Sequence, residues 1–545
     1  MPKILKTIMR GPAFRFFCVL SLTLLIVACA SRGRPSGGEK DTEPPVIVRS
    51  DPENFTTNFN KDEIRIYFNE YIKLKDIRKQ LIVSPPMDND PIISPQGSAG
   101  KYISIKITDT LAPNTTYAFN FGQSIVDNNE ENPFSYYRYV FSTGPTIDSL
   151  SVTGAVLDAL ERQPETFITV GLYEVDSTFN DSTIYKQKPK YITNTLDSLT
   201  TFSIENIKAG TYKLVALKDN NGNYTFEPKT DKIGFVEGYI EVPKDTNYLI
   251  KLFKEVPKLK VLRPFQAGEQ RVGFPFEGNP EGLKISMLDA LPEGTKTRIT
   301  KDRDKDSLYY WYHPKLELDS TFFKLERGTF VDTLKHKFRP AEKDSLTITM
   351  LTPGNLPYQK NMTLAGSTPF DLLDRSKITL IDKDSVAVAF TIEEDSLLNT
   401  YQFPIELKED ERYAMSILPG AFEDILGTQN DTLNFNFRTR KKSELGNIRV
   451  SLINAKLPLI VQLTDEQGKV LYEKYAETSP VVDFTNIEPK QYQLRVIFDE
   501  NKNGKYDPGS FLLNTQPERT SYHPVLEDTN VRANFDYNIS LTLEN

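Results

Sequence analysis

The feature that most constrains this chain is a two-residue alternation of apolar and polar side chains, recurring along almost its whole length. Glu63-Ile64-Arg65-Ile66-Tyr67-Phe68, Tyr102-Ile103-Ser104-Ile105-Lys106-Ile107 and Tyr212-Lys213-Leu214-Val215-Ala216-Leu217 are three such runs. A strand turns successive side chains to opposite faces, so each run buries one face and wets the other. The runs return at roughly 8–15-residue spacing between Asp, Asn, Gly and Pro turns, the pattern of antiparallel sandwiches. Long helical periodicity is nearly absent. The expected fold class is all-β, a string of antiparallel β-sandwich domains.

At 545 residues the chain has room for about three to five domains of roughly 100–200 residues each. With 39% hydrophobic residues, 26% charged residues and a net charge of −8, it can bury cores, and a disordered chain is excluded. Lys and Arg number 66 against 74 Asp and Glu, which excludes a globally basic nucleic-acid binder. Three His and two Cys leave a zinc or thiol enzyme few residues to work with.

Lys3, Lys6, Arg10 and Arg15 precede an apolar run from Phe16 to Ala28, the order of a secretion signal. The run is shorter than the roughly 20 residues of a spanning helix. It ends in Ile26-Val27-Ala28-Cys29, which resembles the lipobox of bacterial lipoproteins. The resemblance implies cleavage before Cys29, diacylglycerol on its sulfur and an acyl chain on the new α-amine. Several acyl chains anchor stably where one is marginal. Residues 1–28 would form the signal peptide, and Cys18 would leave with it. The mature chain would then hold one lipidated cysteine and no intrachain disulfide. Residues 29–42 read as a Gly/Ser/charged tether. Ala30, rather than Asp, follows Cys29, which points to the outer membrane, with its periplasmic or surface face left open.

Two internal repeats follow. Leu111-Ala112-Pro113-Asn114-Thr115-Thr116-Tyr117 pairs with Leu407-Lys408-Glu409-Asp410-Glu411-Arg412-Tyr413, each leading to a closing strand, Tyr139–Gly144 or Phe435–Arg440. With Pro44-Pro45-Val46 and Asp51-Pro52, the first copy resembles the bacterial Ig-like domain found in surface-layer proteins. Phe202–Tyr212 pairs with Phe484–Tyr492, and both continue to an aspartate seven residues past the Tyr. That pattern is similar to prealbumin-like or carboxypeptidase-regulatory β-sandwiches, although Gln491 replaces the turn Gly210. The expected domains are 43–145 (Ig-like), 146–254 (prealbumin-like), 255–345 (a β-rich middle domain), 346–440 (Ig-like) and 443–545 (prealbumin-like).

The repeated aspartate opens the best local constellation. Asp219, Asn221, Asn223 and Glu227 in one copy, and Asp499, Asn501, Asn503 and Asp507 in the other, alternate as Ca²⁺ ligands do along a loop. Position twelve of each loop is Thr230 or Ser510, not an acid, and Gly is fourth in the first copy and sixth in the second. Asp, Asn and Gly also build hairpin turns, so turn and Ca²⁺ site both stand. Asp-Ser/Thr triplets resemble acceptors of periplasmic O-glycosylation, placing glycans on Ser149, Ser198, Ser307, Thr333, Ser345, Ser385, Ser396 and Thr432. The same triplets end turns before strands. His313, His336 and His523 are dispersed, and neither a GxSxG elbow nor a P-loop occurs. Tyr309-Tyr310-Trp311-Tyr312-His313 is a ligand patch or a packed strand.

These features lead to the expectation of a lipid-anchored, non-catalytic cell-envelope protein with a structural or binding role. The alternatives are a carbohydrate- or protein-binding component of an uptake or secretion system, and a polysaccharide-processing enzyme. The expected partners are the membrane, through the Cys29 lipid, and an unidentified protein or glycan. Nucleic acid is not among them, and Ca²⁺ is the sole cofactor the loops suggest.

Overall fold

A computed structural model describes residues 40–195 and 200–544. The signal segment, Cys29 and Ser198 lie outside the described residues. Those described are nearly all strand and turn, and their one α-helix is the single turn Ile77–Gln80. The all-β expectation holds.

Residues 47–142 form two facing sheets. One runs Ile47–Asp51, Glu63–Leu74, Gly100–Lys106, Ile92–Ser94; the other runs Ile82–Ser84, Thr116–Asn120, Arg138–Ser142. Ile64, Ile66, Ile103, Ile105, Phe119 and Phe141 meet between them with no exposed surface. The four isoleucines are apolar members of the alternating runs, and transfer of such side chains from water contributes about 1.5–3 kcal/mol each.

The sandwiches at 150–252 and 446–542 share one topology. Leu150–Asp158 lies between Thr201–Ile207 and a parallel partner, Asn247–Leu252. Gly446–Ile453 lies likewise between Val481–Ile487 and the parallel Asp536–Thr542. The facing sheets run Tyr191–Asn194, Thr169–Glu174, Gly210–Lys218, Lys232–Phe235 in one and Val470–Ala476, Leu459–Thr464, Gln493–Phe498, Thr520–Tyr522 in the other. Separate cores occupy 259–338 and 346–437.

The repeats persist to single hydrogen bonds. The Tyr212 hydroxyl donates to the Lys208 carbonyl (3.0 Å) and that of Tyr492 to Glu488 (2.7 Å). The Tyr117 hydroxyl accepts from the Ala112 N–H (2.9 Å) and that of Tyr413 from Lys408 (2.8 Å). Counted from the paired tyrosines, the position matching Gly210 is Lys490 and Gln491 stands opposite Thr211, a correction to the sequence pairing. A Cβ at Gly210 would find only ordinary contacts, 3.5 Å to the Tyr212 ring, so a side chain is accommodated there.

The chain is not an extended string. The last sandwich packs against the second, so residues 146–545 close into a loop of modules. Arg162 donates to the carbonyls of His523 (3.0 Å) and Pro524 (2.8 Å), and Thr520 donates to that of Ala159 (2.6 Å). Phe511 joins Phe226, Phe235 and Phe253 in one buried cluster.

Candidate functional site

The two Asp/Asn loops have one geometry. In the first, Asp219 Oδ1 accepts from the N–H groups of Asn221 (3.1 Å) and Gly222 (2.7 Å), and Oδ2 from Tyr224 (2.7 Å). In the second, Asp499 Oδ1 accepts from Asn503 (3.1 Å) and Oδ2 from Gly504 (2.8 Å). In each loop the two Asn amides donate to the acid at the ninth position. Asn221 and Asn223 reach Glu227 at 2.9 and 3.0 Å, while Asn501 and Asn503 reach Asp507, the latter at 2.8 Å.

A second acid stands behind each loop. Asp231 accepts from the N–H groups of Asn220 (3.2 Å) and Glu227 (3.0 Å), and Glu518 from those of Glu500 (3.0 Å) and Asp507 (3.1 Å). Burial pushes the Glu518 carboxyl up despite those donors. Burial also opposes ionisation of Asp499, but backbone N–H groups outweigh it and hold the carboxyl below its ordinary range.

The structure therefore gathers all eight sequence-predicted loop residues, four to a loop. The oxygens are of the kind a hard cation takes. However, the Asn side chains aim N–H groups, not oxygens, at Glu227 and Asp507, so a cation would require those amides to turn. Among the described residues, no cluster of three or more His, Cys, Asp or Glu side chains has the geometry of a metal site.

The glycine mismatch between the copies has a backbone explanation. Both loops turn left-handed at the fourth and sixth positions: Gly222 (φ 68°) and Tyr224 (φ 60°), Lys502 (φ 62°) and Gly504 (φ 71°). Each copy spends its glycine on a different one of the two turns, and the other turn is made by a side-chain-bearing residue.

What sequence reading missed lies just past the second loop. Ile233 pairs with Leu217, and Thr520 with the corresponding Ile497. Six positions separate Glu227 from Ile233, and thirteen separate Asp507 from Thr520, so the second copy carries seven extra residues. They form a tight hairpin in which Ser510 and Thr515 exchange backbone hydrogen bonds (2.9 Å each). Glu255, 7% exposed, accepts from the Ser510 hydroxyl (2.6 Å) and the Phe511 N–H (3.0 Å). The hairpin thereby seats Phe511 among Phe226, Phe235 and Phe253. Nearby, Arg495, 2% exposed, donates to the Leu160 carbonyl (2.9 Å) and lies 3.7 Å from Glu161.

The aromatic strand Ser307–His313 is packed, not presented. Tyr310 and Tyr312 enter the core of their module. Trp311, 2% exposed, donates to Thr300 (2.9 Å) beneath the Arg271 guanidinium, 4.8 Å from its ring. A single open sandwich would leave that second face wet. The three histidines stay apart, bonded to Gln270, Gln266 and Asp528. Asp344, whose carboxyl burial pushes up, pairs with Arg271 at 2.8 Å and packs against Gly268. Of the described triplet hydroxyl residues, Ser149, Thr333, Ser345, Ser385, Ser396 and Thr432 are exposed, and Ser307 is buried.

Comparison with known proteins finds a bacterial Ig-like domain at residues 41–143. Among solved structures, the surface layer protein SbsC, domains 1–6, is 11% identical over 85% of this chain and 66% of its own, with a TM-score of 0.14. The chain thus spans just under two thirds of that protein's length. The Bacillus anthracis TIE protein is 10% identical over 94% of this chain and 76% of its own (TM-score 0.13). The BSP domain of a biofilm-associated protein is 7% identical over 75% and 99% (TM-score 0.13). Superpositions at this level fix neither the arrangement of the modules nor a role. No curated protein matches the chain.

Proposed function

We propose that this chain is a lipid-anchored, non-catalytic component of a bacterial outer membrane, with a structural or binding role. In this reading Cys29 carries the lipid, residues 29–42 are the tether, and sandwiches at 43–145, 146–254, 255–345, 346–440 and 443–545 form the body. The observation that carries it is the bacterial Ig-like domain at 41–143, which begins where the tether after the lipobox ends. The ring-like packing adds support, because buried groups such as Arg495 and Glu255 hold modules to one another. The six exposed triplet hydroxyls are the glycan acceptors of this reading, and the buried Ser307 is not.

Metabolic lipid labelling of the wild type and of Cys29→Ala, with proteinase digestion of intact cells, tests the proposal. Label on the wild type and its loss in Cys29→Ala, with the variant retained as an uncleaved precursor, is the expected result. An unlabelled wild type overturns the anchor. Digestion without lysis would assign the surface face, and protection until the outer membrane is opened would assign the periplasmic one.

A further inference from the structure

We propose that the cleft between the first two sandwiches binds a neutral saccharide of one or two residues. The cleft has a volume of 310 Å³, at the small end of the range that encloses small ligands. Ile82–Ser84, Tyr191–Asn194 and Thr201–Ile207 meet there, and each is the edge strand of its own sheet. Edge strands carry backbone N–H and C=O groups on their open side. The Ile192 N–H is already taken by the Ser84 hydroxyl (3.1 Å), a bond that ties the two modules together at the cleft.

The lining selects the ligand class. Thr193 and Thr201 bring hydroxyls to the walls. Those of Ser84 and Thr195 accept the N–H groups of Ile192 and Ile168 (3.1 Å each) and keep a proton to donate. Ser203 donates to Glu205 (3.2 Å), and Asn120, whose Oδ1 accepts from Gly122 (3.0 Å), keeps its amide N–H groups. The two charged residues of the lining, Arg138 and Glu205, are bonded to each other, and Arg138 also donates to Asn206 Oδ1 (2.6 Å). With its charges cancelled, the cleft offers a free ion of either sign no counter-charge. What remains, beside the apolar Ile82, Ala118, Ile192 and Phe202, is a set of short hydroxyl and amide groups suited to the alternating donors and acceptors of a polyol, with apolar surface for the faces of its ring.

The rim supplies a ring. Tyr136 is 49% exposed and lines the cleft with φ 63°, a left-handed torsion that a bulky residue adopts against its preference. Two hydrogen bonds fix it there: its N–H donates to the Gly122 carbonyl (2.6 Å), and its hydroxyl accepts from Gln123 (3.2 Å). An aromatic face held beside hydroxyl and amide groups can stack on the apolar face of a pyranose while its hydroxyls are hydrogen-bonded.

The test is saturation-transfer NMR on the purified full-length protein. The probes are glucose, galactose, mannose, N-acetylglucosamine and their β-linked disaccharides. Saturable binding of at least one is expected at or below the millimolar range. Tyr136→Ala and Thr193→Val should each weaken it about tenfold, whereas Tyr136→Phe retains it, with unchanged melting temperatures showing that the variants fold. No saturation by any probe up to tens of millimolar overturns the proposal. So does binding that neither Tyr136→Ala nor Thr193→Val alters, which would put the sugar elsewhere. Neither result bears on lipid anchoring, which these spectra do not read.

Discussion

Lys502 shows how little room the second loop leaves its residues. It holds φ 62° where the first copy has Gly222, and its side chain is exposed. A left-handed turn costs an L-residue roughly 1–2 kcal/mol, partly offset by the smaller entropy the side-chain-bearing residue loses on folding. Lys502→Gly should therefore stabilise the protein by about 0.5–1 kcal/mol, read as a rise in melting temperature. A fall would mean that the Lys502 side chain holds a contact worth more than the strain. Such a position is legible as "turn" from Asp, Asn and Gly, but which residue turns left-handed is not, because the glycine changes place between copies.

Carboxyls at this scale also set a pH response. Burial raises Glu161, Glu518 and Asp344 above their ordinary values, 4.5 for Glu and 3.8 for Asp. A raised carboxyl contributes stability that is present below its ordinary value and is lost as pH rises through the raised one. Asp127, Asp382 and Asp499 are held low, so their contribution is present above the ordinary value and disappears as pH falls through the lowered one. These raised carboxyls should therefore add stability just above pH 4.5 relative to neutrality. His336 opposes them, because burial holds its imidazole below 6.5 and its contribution is lost as pH falls. The melting temperature should fall in stronger acid. Glu161→Gln should lower the mildly acid melt relative to the neutral one, as differential scanning calorimetry would show. An unchanged difference would put the dependence elsewhere.

Among the elements, those that repeat were the most legible. Tyr117 and Tyr413, and Tyr212 and Tyr492, stand out because each begins a buried strand and closes a local hydrogen bond. Alternation finds such strands since one face of each is core. It says nothing about which outer faces are covered by another module, and for that reason Trp311 read as an open question. The hairpin bearing Phe511 has no periodicity at all. Its seven extra residues show only when the two copies are set in pairing register, and what they touch is some 250 positions away in the chain.

For the whole molecule, that hairpin decides the shape. Phe511 is 4% exposed and Glu255 caps the hairpin that carries it, so removing its ring would leave a cavity at the seam between the two sandwiches. Phe511→Ala should loosen the last sandwich from the second and raise the radius of gyration in small-angle scattering, with far-ultraviolet circular dichroism unchanged. An unaltered radius would show that Arg495, Arg162 and Thr520 keep the modules together without it.

The two parallel pairings at the module borders have a mechanical consequence. Leu150–Asp158 and Asn247–Leu252 run side by side in the same direction, as do Gly446–Ile453 and Asp536–Thr542. The chain enters each sandwich at the start of one strand and leaves at the end of the other. Tension applied through those two points would drag the strands past each other, straining the whole ladder at once, where an antiparallel hairpin would unzip bond by bond. A body hung from a membrane by its N-terminus would thus meet a pull with its most resistant geometry.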